Sequence, residues 1–154
     1  MIGFGQNKVD RTDAKSVANT VLNAFKEKDL KQLQIVSHSS NKEIISNILK
    51  KGEDHPRYNS LFSGWRWDAV NNWDGYSLEI IEEDARESRV KFGESKYEDY
   101  VVTLFWVDGK WCFEDIHSPL KMQVHIISIG MNDFQLHKSL VDLQMCESDA
   151  QQFT

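Results

Sequence analysis

Apolar residues recur at spacings of three and four along residues 12–26, where Ala14, Val17, Ala18, Val21, Leu22 and Phe25 share one side and Lys15, Asn19, Asn23 and Lys26 the other. That period predicts an amphipathic helix. Leu30, Leu33 and Val36 predict a second, shorter helical piece, and Ile44, Ile45, Ile48 and Leu49 a third. Ahead of the third stands Ser40-Asn41-Lys42-Glu43, in which the Ser40 hydroxyl is placed to cap the first turn and Glu43 to reach back to it. Gly52 follows as a left-handed stop.

From His55 onward the helical spacing gives way to aromatic and β-branched residues. The stretch SGWRWDAVNNWDGY, with Trp65, Trp67 and Trp73 among polar residues, reads as an irregular first strand or a loop lid. Residues 78–83 and 88–92 read as two strands joined by a tight turn, with Glu82, Glu83 and Asp84 as its solvated acidic face. Residues 97–107 and 110–117 complete a set of four antiparallel strands. Helices first and a strand meander afterwards is the α+β pattern, with a curved antiparallel sheet wrapping the long first helix. Residues 1–119 form that domain in this reading. Residues 120–154 form an extension, with the apolar run MQVHIISI and a helix over about 132–145, that packs on the same domain or on a partner.

Asp108-Gly109 between two apolar runs is a strong signal for a two-residue hairpin turn, because both positions accept positive φ. An uninterrupted ladder from that turn pairs Trp106 with Trp111, Leu104 with Phe113, Val102 with Asp115, and Tyr100 with His117. One face of the hairpin then carries Tyr100, Val102, Leu104, Trp106, Trp111, Phe113, Asp115 and His117, greasy near the turn and polar at the far end, like a pocket floor. The plain alternative is that the polar end marks only the strand's return to water. The other face carries Val101, Thr103, Phe105, Cys112 and Ile116, an apolar strip of the kind a monomer seldom leaves open. Its cover is either a second copy of the chain, in a homodimer, or the tail.

A chain of 154 residues with 40% hydrophobic and 27% charged residues has the profile of one globular domain. The net charge of -6 and a pI near 5.3 argue against nucleic acid as a partner and favour a cationic one. The opening MIGFGQNKVDR lacks an apolar core of signal-peptide length, and no segment approaches the run of about 18 apolar residues that spans a membrane, so a cytoplasmic location is expected. Cys112 and Cys146 read as free thiols.

The five histidines, His38, His55, His117, His125 and His137, show no metal-ligand spacing, and neither a phosphate loop nor a nucleophile elbow is present, so no metal or cofactor is expected. Chemistry, if any, falls to the polar end of the hairpin, with Asp115 or His117 as base and Tyr100 donating to an oxyanion. The segment Trp65, Arg66, Trp67, Asp68, Trp73 and Asp74 reads by default as core or lid, yet has the composition of an interface hot spot.

The N-terminal amphipathic helix with its K-E-K-D-L continuation and the terminal hairpin V-T-L-F-W-V-D-G-K-W-C-F-E-D-I resemble members of the nuclear transport factor 2-like (cystatin-like) superfamily. The resemblance implies a cone-shaped domain with a cavity, whose lining here would be Phe25, Val102, Leu104, Trp106, Trp111 and Phe113. It also implies a choice of roles, since members include isomerases and dehydratases, dimeric binding modules and bacterial immunity proteins. The isomerase-like members use a first-helix tyrosine and a cavity carboxylate. Here the first helix has no tyrosine, and Asp99 or Asp115 is the only carboxylate in a comparable role. The expectation is therefore a binding module, of the kind that neutralises a basic toxin. The alternative is an enzyme acting on a small hydrophobic ligand.

Overall fold

The computed structural model describes residues 8–121. Within them α1 (Ala14–Lys26), α2 (Leu30–Val36), α3 (Ser39–Lys51), the single-turn α4 (Tyr58–Leu61) and α5 (Gly64–Asn72) precede β1 (Glu79–Glu83), β2 (Glu87–Glu94), β3 (Asp99–Val107) and β4 (Lys110–His117). The strands form an open antiparallel sheet in the order β1-β2-β3-β4, so the architecture is α+β as the pattern predicts. No helix among the described residues is long and apolar enough to cross a membrane. The MQVHIISI run, the 132–145 helix, His125, His137 and Cys146 lie outside the described residues.

The first helix forms where its spacing places it. Asp13 caps it by accepting from the Ser16 amide, and Val17, Ala18, Val21 and Leu22 are fully buried. Asp29 caps α2 in the same way, and Leu30, Leu33 and Val36 all go inside. The start of α3 differs from expectation. It begins at Ser39, one residue before the expected cap, and its N-cap is His38, whose side chain makes no capping bond. The His38 amide instead donates to the Phe113 carbonyl at 2.8 Å, so attachment to β4 replaces the Ser40–Glu43 capping box. Gly52 ends α3 at the expected position with positive φ (60°), but its ψ of -139° places it outside the left-handed helical region.

The tryptophan-rich stretch is corrected outright. Gly64–Asn72 form the helix α5, capped by Trp73 and followed by a turn, with Ala69, Val70 and Trp73 buried and α1 as its packing partner.

One sheet face carries Val90, Phe92, Val102, Leu104, Trp111, Phe113 and Ile116, which join the α1 and α2 side chains in a single core. Three bulges interrupt the ladders, at Ile81, Phe92 and Glu114. The Asp108-Gly109 turn holds its expected place, with φ of 51° and 76°, and pairing is as expected from Val107 and Lys110 to Leu104 and Phe113. Beyond that the extra residue Glu114 shifts the register. Thr103 pairs with Asp115, Val102 with Ile116 and Val101 with His117. A one-residue shift turns every later side chain over. Ile116 therefore enters the core, and Asp115 and His117 move to the opposite face.

The expected outer strip of Val101, Thr103, Phe105, Cys112 and Ile116 loses Ile116 by this shift. Val101, Thr103 and Cys112 are buried, and the Phe105 ring meets His38 edge-on at 6.0 Å. The neighbouring outer positions are charged. Arg89 pairs with Glu82 and Glu87, and Lys91 with Glu94 and Asp99. At the first edge of the sheet all five β1 residues are exposed, and its glutamates and bulge are the devices that discourage edge-to-edge pairing.

The β4 edge is closed by donors from four places. Arg11 donates to the Trp111 carbonyl, the His38 amide to Phe113, Asn41 to Phe113 and Glu114, and Arg66 to Ile116. After β4 the chain continues in the same antiparallel register beside the residues that lead into β3, with the Asp99 amide bonded to the Pro119 carbonyl and the Lys121 amide to the Tyr97 carbonyl.

Candidate functional site

Helices α3, α4 and α5 stand over the second half of β4 and leave a cavity of about 220 Å³ between them. Its floor is apolar: Phe25 from α1, Ile44 and Ile48 from α3, Val70 from α5, Phe113 and Ile116 from β4. Leu61 and Trp67 add an apolar wall, while Asn41, Arg57, Ser60, Arg66, Glu114 and Asp115 supply the polar rim. Two of the expected lining residues, Phe25 and Phe113, are found there. Val102, Leu104 and Trp111 are sealed in the core instead, and Trp106 is 38% exposed with its ring edge-on to Trp111 at 5.0 Å.

The polar cluster expected from the hairpin is not assembled. Tyr100 lies on the inner face, its ring 6.1 Å from those of both Phe92 and Trp65. Asp115 is exposed and faces Arg66 at 3.5 Å. His117 is on the outer face, its Nδ1 3.1 Å from the Thr103 hydroxyl. The Glu114 bulge separates the three, because it reverses the side of the sheet on which Asp115 and His117 emerge while leaving Tyr100 where it was.

Burial lowers the pKa of His117 below the usual 6.5, and the nearby Asp115 carboxylate opposes that shift only in part. The folded protein therefore binds this proton less readily than the unfolded chain does. The stabilisation is fully present above the unfolded value and is lost as pH falls below about 6.5 toward the folded value. We expect the thermal midpoint to fall between pH 7 and pH 5, and the fall to be smaller in His117→Asn. Equal slopes in the two proteins would show that this imidazole does not contribute.

The six residues of the tryptophan-rich segment have separate positions and tasks. Trp65 is 44% exposed on α5, its ring stacked against Tyr100 at an interplanar angle of 25° and covered on one side by the Arg66 guanidinium at 5.4 Å. Trp67 packs against Phe62 and lines the cavity, and Asp68 is exposed. Trp73 is no surface residue. It is 4% exposed, donates its indole N–H to the Ser77 carbonyl and lies under Lys26. Asp74 folds the following turn, and the Ser77 hydroxyl together with the Ser77 and Tyr76 amides holds its carboxyl below the usual range.

Sequence reasoning missed Arg57 and Asn41 as rim residues, since Asn41 stands out only as part of a helix-capping pattern and Arg57 in no pattern, and both reach the cavity only through packing. The chain matches no family model, no curated protein and no solved structure.

Proposed function

We propose that the protein is a binding module that recognises another protein, of the immunity type that neutralises a cognate basic toxin. The observation that carries this reading is Trp65. A large aromatic ring stacked on Tyr100 and overlain by Arg66, yet 44% exposed, has the make-up of an interface anchor, since Trp, Tyr and Arg dominate such anchors. The charge agrees with a cationic partner, both in the net -6 and in the exposed Glu79, Glu82 and Glu83 of β1. The nuclear transport factor 2-like cone belongs to the same reading. Helices preceding an open four-stranded meander, with a cavity between the two, support it.

The test uses the polypeptide encoded next to this chain in its genome, co-expressed with it. Wild type is expected to retain that polypeptide and to protect cells from it. Trp65→Ala should weaken the complex by about 30-fold or more, the scale of a 2 kcal/mol hot spot, while Trp106→Ala at a distant exposed tryptophan leaves it intact. If wild type retains no polypeptide and a small hydrophobic molecule co-purifies instead, the protein-binding reading is wrong.

A further inference from the structure

The cavity differs in character from the Trp65 surface, and occupancy of one does not depend on the other. Its volume of about 220 Å³ is below the roughly 300–1,000 Å³ of sites for drug-sized ligands, so it suits a single ring or a short alkyl chain. Phe25, Val70 and Phe113 provide an apolar seat for such a body.

The rim decides the other end of the ligand. Asp115 is held by Arg66 at 3.5 Å, and Glu114 Oε2 lies 3.4 Å from His38 Nδ1 without a hydrogen bond among the described residues. Arg57 lines the same cavity and has no carboxylate within ion-pair distance among the described residues. The rim thus presents one guanidinium without an anionic partner among the described residues, a group whose forked N–H donors can pair with both oxygens of a carboxylate. Arg57 directly precedes α4, whose Ser60 and Leu61 line the same cavity.

We infer that this cavity binds a small monocarboxylic acid with a hydrocarbon body, the body seated on Phe25, Val70 and Phe113 and the carboxylate on Arg57. Phenylacetate is the probe, and phenylacetamide is its neutral counterpart of the same shape. Calorimetry on the full chain is expected to show saturable one-to-one binding of phenylacetate, accompanied by a change in tryptophan fluorescence that Trp67→Phe removes. Phenylacetamide should bind at least tenfold more weakly. Arg57→Gln, an exposed change that leaves the fold intact, should weaken phenylacetate by about tenfold or more and leave phenylacetamide unchanged. Val70→Trp, which fills the cavity, should abolish binding of both. The inference is overturned if phenylacetate and its amide bind equally, if Arg57→Gln binds the acid as wild type does, or if no saturable binding occurs at millimolar concentration. None of these outcomes alters the retention of a protein partner through Trp65, so the two readings fail separately.

Discussion

Ile116→Asp is expected to unfold the protein at room temperature, and Asp115→Val to leave it folded. The two positions are adjacent in sequence and emerge on opposite faces of β4, and the bulge at Glu114 decides which of them is buried. Ile116 is 2% exposed, pairs with Val102 and belongs to the core. Removing its side chain alone costs about 2–5 kcal/mol. A carboxylate in that place must also be stripped of water with no partner nearby, or else take up a proton, and either adds several kcal/mol more. The sum approaches the entire stability of an ordinary domain, about 5–15 kcal/mol. Asp115 is a surface residue whose pairing with Arg66 is between half-exposed side chains, worth about 0–1 kcal/mol. Urea titrations followed by tryptophan fluorescence measure both. In an uninterrupted hairpin the order of effects would be the reverse, since Asp115 would face the core beside Val102 and Ile116 would be outside.

That contrast also shows what could be read from residues alone. The amphipathic period of α1, the short apolar set of α2 and the Asp108-Gly109 turn are local signals, and each element stands where its signal puts it. The bulge is different, because counting from a turn presumes that no residue is inserted. A hint was present nonetheless: Phe113 and Ile116 are both apolar and both buried, yet three apart, a spacing that strict alternation forbids on one face. Helix α5 was obscured by composition. Three tryptophans resemble strand material, but Ala69 with Trp73 and Trp67 with Val70 lie four and three apart and meet the core as a helix does. The cavity rim was illegible for another reason. Asn41 and Arg66 come from α3 and α5 and Arg57 from the residue that precedes α4, and their convergence is a product of packing that no periodicity records.

Arg11 is the residue whose removal should do most damage for least warning in the sequence. It stands near the start of the described chain, and its side chain reaches across 100 positions to the sheet. Nε and Nη2 both donate to the Trp111 carbonyl, at 3.3 and 3.1 Å, Nη1 donates to the Ile35 carbonyl at 3.1 Å, and Nη2 lies 3.1 Å from Cys112 Sγ. Its own carbonyl accepts from the Trp111 amide at 2.7 Å, so backbone and side chain together close the β4 edge at that point. In Arg11→Ala water can replace the donor at Ile35, which is at the surface, but not readily at Trp111, which is 5% exposed. A buried acceptor left without its donor costs about 1–3 kcal/mol, and we expect a loss near 2 kcal/mol. For a domain of this length that is a fall of roughly 4–8 °C in the thermal midpoint. Arg11→Lys should recover less than half of it, because a single ammonium cannot reproduce two bonds to one carbonyl and a third to Ile35. Hydrogen exchange at the Trp111 amide should quicken in both variants by more than exchange at Val102 in the middle of the sheet. An unchanged thermal midpoint in Arg11→Ala, with Trp111 still protected, would show that β4 keeps its edge closed without this side chain.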